Sequence, residues 1–145
     1  LHKALGGGRN VPFDMWAQHI YPVGPPDRAA FFPSWRNLPE LQKLVNKMHP
    51  RGRMPLIVAE TGYTTSYSPY HRYFVSEAQQ AAWTDLTYEL AARNPLIEAV
   101  VWFNMQDHAA WPAGLFRADL SKKPAFDRYR AIALGTPLTA KWALP

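Results

Sequence analysis

The feature that most constrains this chain is an alternation. A short apolar run, a long loop and an amphipathic helix pattern follow one another three times, in units of about forty residues. Val11 to Ile20 is predicted as the first strand, with Phe13, Met15 and Trp16 apolar and Asp14 poorly accommodated. Tyr21 to Trp35 carries Pro22, Gly24, Pro25, Pro26 and Pro33, the composition of a loop. Asn37-Leu38-Pro39-Glu40 then reads as a helix start, with Asn37 as cap, and Leu41, Leu44, Val45 and Met48 recur on one helical face. His49-Pro50-Arg51-Gly52 stops that helix, and Leu56-Ile57-Val58-Ala59 is a continuous apolar run of the kind covered on both faces in a parallel sheet, ending at Glu60.

The rest of the chain repeats the pattern. Thr61 to Val75 is a polar and aromatic loop, and Ser76-Glu77-Ala78-Gln79 is a capping box. The helix behind it should bury Ala78, Ala82, Leu86 and Leu90 and end near Asn94-Pro95. Ile97 to Phe103 is predicted as a strand, Asn104 to Ser121 as a loop, and Pro124 as the opening of a last helix with Phe126, Tyr129 and Ile132-Ala133 inward. Leu1 to Leu5 and Gly6-Gly7-Gly8 read as a helix end and its cap, as expected of a piece of a longer chain. Such alternation implies a parallel α/β sheet with covering helices. The long loops all follow strands, which is where α/β folds assemble their sites.

Composition narrows the functional classes. The chain has 145 residues, 48% hydrophobic and 19% charged, so it is globular in type and sized for one domain. It has no cysteine, which removes thiolate nucleophiles, disulfides and thiolate metal sites. The formal charge of +5 is scattered, with tight pairs only at Arg51/Arg53 and Lys122/Lys123, so a solvated basic surface is expected and no nucleic-acid partner. No apolar run is long enough to span a bilayer, and no membrane partner is expected. No signal peptide is readable at the start, and localisation stays open. Gly6-Gly7-Gly8 precedes a strand, not a helix, so it is no phosphate-binding turn, and no cofactor is expected. Fourteen Pro, six Trp, seven Tyr and seven Phe suit rigid loops around an aromatic cleft.

Glu60 is the leading candidate for chemistry, because a carboxylate closing a buried apolar strand needs a reason to be there. The plainer reading is a glutamate that pairs with an arginine or caps a loop. His19 and Tyr21 are two apart and share a strand face, from which both could donate to Glu60 and hold it ionised. Either is otherwise an ordinary packed residue. Trp102 ends the third strand, as the floor of a sugar site or as filler of the sheet's mouth. Asp107, His108 and Trp111 follow it. His19, Glu60, Asp107 and His108 match no short metal-ligand spacing, and no metal is expected.

Asp14 to Tyr21, Val58 to Tyr63 and Val100 to Asp107 resemble strands six, seven and eight of the large clan of retaining glycoside hydrolases built on (β/α)8 barrels, which includes cellulases, mannanases and β-glycosidases. The resemblance implies a partial (β/α)8 (TIM) barrel of about three βα units, residues 1–145 forming a single C-terminal partial domain. It implies Glu60 as catalytic nucleophile, and His19, Tyr21, Trp102, Asp107 and Trp111 as substrate-binding residues. The Gly114-Leu115-Phe116 turn and Lys123-Pro124-Ala125 match the clan's closing segment. One element is missing: the clan's acid/base glutamate lies in an Asn-Glu pair, and no Asn-Glu occurs in this sequence. Two readings follow. The chain is the nucleophile-bearing piece of a retaining β-glycoside hydrolase acting on oligo- or polysaccharides, or it is a non-catalytic carbohydrate-binding or self-associating half-barrel scaffold. Either reading expects a partner, as a homo-oligomer or a missing N-terminal barrel segment.

Overall fold

The structure is a computed structural model and describes residues 13–28, 30 and 33–135. The helix end expected at Leu1 to Leu5, its glycine cap and the start of the first predicted strand at Val11 lie outside the described residues. The elements alternate as the sequence predicts: β1 (Trp16–Ile20), α1 (Leu38–Asn46), β2 (Leu56–Thr61), α2 (Glu77–Ala92), β3 (Ile97–Trp102) and α3 (Pro124–Ala133). The three strands form one parallel sheet in the order β1-β2-β3. This is a small α/β arrangement of three parallel strands and three helices. Phe13, Asp14 and Met15 precede β1 without joining it, and β2 runs on through Glu60 to Thr61. No helix among the described residues is long and apolar enough to cross a membrane.

One face of the sheet carries the core. Leu56 and Val58 of β2 are fully buried against Ile20, Trp35, Leu38, Val45, Met48 and Met54. Each such aliphatic side chain contributes roughly 1.5–3 kcal/mol by leaving water. Among the described residues the opposite face is not covered. Ala17 and Ala99 are exposed, Ile57 and Ala59 are half-buried, and Val101 is 45% exposed. The continuous apolar run of β2 therefore does not have cover on both sides. Val58 is sealed, and Val100 packs against the same core.

The register contains a decisive irregularity. Gln18 pairs with Val58 but the next residue, His19, pairs with Glu60, so β2 has one residue more than β1 at this point. Against β3, Val58 pairs with Val100 and Thr61 with Trp102, again one residue too many on β2. A bulge of this kind reverses the alternation of side chains. Val58 and Thr61 consequently both face the core, Thr61 accepting a hydrogen bond on Oγ1 from Trp35 Nε1 at 3.3 Å. Glu60 is turned to the open face.

The helices differ in how they meet the sheet. In α1 the inward residues are Leu38, Gln42 and Val45, with Leu41 half-buried, while Leu44 is 60% exposed and does not join the face expected of it. Asn37 is the N-cap residue, but its side chain does not cap the helix; Oδ1 accepts from Ser34 N at 2.7 Å and Nδ2 donates to Ala30 O, fastening the preceding loop. In α2 the Ser76–Gln79 capping box forms as read. Its buried side is Gln80, Ala81, Thr84, Asp85, Thr87 and Ala91. The stripe Ala78, Ala82, Leu86 and Leu90 is not the buried one; Ala78 is exposed and the rest half-buried. Most of the buried polar groups have partners: Gln80 Nε2 donates to Tyr63 O, Thr84 Oγ1 to Gln80 O, Thr87 shares a 2.6 Å bond with Tyr63, and Asp85 accepts Arg128 of α3 at 2.8 Å, while Gln80 Oε1 is left without a hydrogen bond among the described residues. A polar interior is stable only when satisfied in this way. In α3, Ala125 is buried and Phe126, Tyr129 and Ile132 are half-buried, but Ala133 is exposed.

Candidate active site at the end of the sheet

The bulge gives Glu60 its surroundings. Its carboxylate is 30% exposed, and one oxygen, Oε2, takes two neighbours. The Tyr21 hydroxyl donates to it at 2.5 Å, and His19 Nδ1 lies at 3.2 Å. Both come from the end of β1, one residue apart in the alternation, which is why they converge on one atom. Burial first, then the hydrogen bond to Glu60 and its charge, push the Tyr21 phenol well above the usual tyrosine range. Tyr21 is therefore a neutral donor throughout the physiological range. Accepting this bond on Oε2 fixes the orientation of the carboxyl group and leaves the lone pairs of the other oxygen for chemistry.

Further aromatic rings pack around the tyrosine that holds this carboxylate. Trp111 meets the Tyr21 ring edge-on at 4.7 Å between centroids, His71 meets Trp111 at 5.2 Å, and Phe103 lies 6.4 Å from Trp111. His71 comes from the loop after β2, and Phe103 and Trp111 from the segment after β3. The two loops are joined below the rings. Thr65 N donates to Pro112 O at 2.9 Å, and Ser68 Oγ donates to Ala110 O at 2.5 Å. Gly62 and Gly114 permit this approach: a Cβ on Gly62 would meet Phe103 O at 2.5 Å, and one on Gly114 would meet Asp107 N at 2.3 Å.

Of the residues singled out from sequence, Glu60, His19, Tyr21 and Trp111 come together here. Two do not. Trp102 is 7% exposed and turned toward the core side, its Nε1 donating to Ala113 O at 3.0 Å. The alternation of β3 explains this. Val100 and Trp102 share the covered face, so Val101 and Phe103 take the open one, and Phe103 stands where Trp102 was expected. Asp107 is committed to its own loop. Its Oδ1 accepts Gly114 N at 2.8 Å and Lys123 Nζ at 2.7 Å, and the carboxyl is 16% exposed. His108 is used locally, Nδ1 accepting Ala110 N at 3.2 Å in the turn that presents Trp111. Among the described residues no group of three or more His, Asp or Glu side chains gathers as metal donors. His71, Phe103 and Lys123 were missed. Phe103 was recoverable from strand parity, whereas His71 lies in a loop with no period to read.

The fold recurs in solved enzymes. A family 39 glycoside hydrolase from Bacteroides cellulosilyticus WH2 superposes with a TM-score of 0.66 at 20% identity, over 96% of this chain and 30% of that one. A GH2 β-galacturonidase from Eisenbergiella tayi gives 0.59 at 17% identity, over 81% of this chain and 24% of that one. A β-glucuronidase from Faecalibacterium prausnitzii gives 0.56 at 17% identity, over 89% and 23%. At such identities the likeness establishes the fold, shared with a segment of glycoside hydrolases, and the chain spans only 23–30% of the length of these structures. No family model and no curated protein sequence matches the chain.

Proposed function

We propose that this chain is the nucleophile-bearing part of a retaining β-glycoside hydrolase, three consecutive units of a (β/α)8 barrel. The observation that carries the proposal is Glu60 itself. A strand bulge takes it out of the core and aims it at an open sheet face, where a phenol holds one oxygen and aromatic rings stand alongside. A packing role needs none of this. In the proposed chemistry Glu60 attacks the anomeric carbon as the glycosidic C–O bond breaks and the leaving oxygen takes a proton from the acid/base carboxyl; water, giving a proton back to that carboxyl, then displaces Glu60 from the glycosyl-enzyme. Tyr21 holds the carboxylate in its attacking orientation and His19 adds a second donor, while Trp111 and Phe103 offer faces to the apolar side of a pyranose ring. The structural relatives, named as β-galacturonidase, β-glucuronidase and family 39 hydrolase, support β-linked sugars as the substrate class.

The acid/base carboxyl belongs, on this reading, to a partner. Retention requires it about 5–5.5 Å from the nucleophile. Asp107 is a poor substitute because Lys123 already holds it. The same gap favours the second reading, a carbohydrate-binding half-barrel without catalysis. Turnover of an aryl β-glycoside separates the two. The chain alone is expected to be slow or inactive, lacking general-acid help worth about 10²–10⁴-fold. Adding an N-terminal barrel segment should restore hydrolysis. If the reconstituted barrel binds sugar but never cleaves it, the binding reading replaces the enzymatic one.

A further inference from the structure

We infer that Lys123 is a positioning residue for the sugar site: from the far side of the wall it locks the two loops that carry His71 and Trp111 into one surface facing Glu60. The inference rests on the site proposed above. Lys123 precedes α3 and has a fully buried side chain, although ammonium groups are rarely buried without a strong reason. Its Nζ donates to Asp107 Oδ1 and to Thr65 Oγ1, each at 2.7 Å. One cation thus spans the loop after β2, through Thr65, and the loop after β3, through Asp107. Asp107 passes the constraint on by accepting Gly114 N, and Thr65 does so by donating N–H to Pro112 O, next to Trp111.

The seam continues from there into the wall. Ser68 Oγ holds Ala110 O, and beyond it His71 and Trp111 meet edge to face, with Trp111 against Tyr21, which donates to Glu60. Charge-assisted bonds in a water-poor setting are the stiffest links available to two loops with no shared secondary structure. Lys123 touches neither the rings nor Glu60. Its effect must therefore appear as a misplaced Trp111, with the chemistry of Glu60 unaltered.

The test uses two variants of the intact protein that carries this sequence, Lys123→Met and the charge-balanced Lys123→Met/Asp107→Asn, in which the remaining amide oxygen can still accept Gly114 N. The first readout needs no ligand: the indole N–H resonance of Trp111, identified by its loss in Trp111→Phe, with that of Trp35 in the core as reference. The second is inactivation by a 2-fluoro-β-glucosyl fluoride, resolved into KI and the maximal rate. The double variant should shift or split the Trp111 signal, leave Trp35 unchanged, and raise KI about tenfold or more at an unchanged maximal rate, as expected for a misplaced binding wall. An unmoved Trp111, or a moved Trp111 with unchanged KI, overturns the inference. So does joint loss of the Trp35 signal in both variants, which would make Lys123 a determinant of the whole fold. If the wild type is never labelled, the glycosidase reading fails, and the Trp111 signal still decides whether Lys123 sets the wall.

Discussion

The two faces of the three-stranded sheet are built from similar residues and serve opposite purposes. On one, Leu56, Val58 and Ile20 are sealed under α1 and its flanking loop. On the other, Ala17, Ile57, Ala99 and Val101 remain in contact with solvent, and the same face carries His19, Glu60 and, at its end, Tyr21. The covered face is where the stability of this chain resides. The open face combines a charged cluster with apolar surface awaiting cover, and a single bulged residue decides on which of the two Glu60 falls. The lesson is that alternation, not hydrophobicity, separates scaffold from site in this sheet.

The sharpest contrast comes from truncating neighbours in β2. Leu56→Ala on the covered face should cost about 2–5 kcal/mol, as large-to-small changes do in a sealed core. Ile57→Ala, one residue on and facing outward, should cost well under that, about 1 kcal/mol or less. Urea midpoints of the two variants check this, and equal losses would mean that both faces are covered. The next effect concerns association. We expect the open face to draw the chain into self-association or onto a missing segment, since each buried Å² of apolar surface contributes roughly 25 cal/mol. Val101→Lys should lower the self-association seen by sedimentation at micromolar concentration while leaving thermal stability within about 0.5 kcal/mol. A monomeric wild type would remove the case for a partner.

A smaller effect is expected from the phenol that holds Glu60. Tyr21→Phe removes one hydrogen bond to a carboxylate at a half-buried site and should lower stability by about 1 kcal/mol. The pH dependence carries the same contrast. Tyr63 and Tyr88 on the covered side are pushed well above the ordinary tyrosine range by burial, and Tyr21 by burial and Glu60. For a group whose folded pKa is raised, the stabilisation is complete below the unfolded value and is lost as pH rises above it. Stability should thus hold up to about pH 10, where phenols of the unfolded chain begin to ionise, and fall beyond it. Tyr21→Phe should flatten that alkaline fall slightly. Denaturant midpoints between neutral and alkaline pH report it, and a fall beginning well below pH 10 would assign the sensitivity to other groups.

Much of this was legible in the sequence. The order of elements follows from apolar runs alternating with helical periodicity, and the Ser76–Gln79 capping box is local chemistry that tertiary context left alone. The convergence of His19 and Tyr21 follows from period two on a single strand. What could not be read was the bulge. Nothing in Val58-Ala59-Glu60-Thr61 says that Ala59 is the extra residue, because a bulge depends on the register of both neighbouring strands. The buried side of α2 was missed for another reason. Gln80, Thr84 and Thr87 look like a solvated stripe until their partners are in place: a loop carbonyl for Gln80, the helix's own Gln80 carbonyl for Thr84 and the Tyr63 hydroxyl for Thr87. Asp107 was read as a ligand for sugar because its partner, Lys123, lies sixteen residues on, in what looked like a basic surface pair.

The account depends most on Glu60 as the attacking carboxylate, and covalent trapping addresses that directly. The intact protein that carries this sequence is incubated with an activated 2-fluoro-β-glycoside, digested, and the labelled peptide sequenced by mass spectrometry. The account predicts a single glycosyl ester on Glu60, absent in Glu60→Gln. A label on any other carboxylate, with Glu60 unmodified, would contradict it.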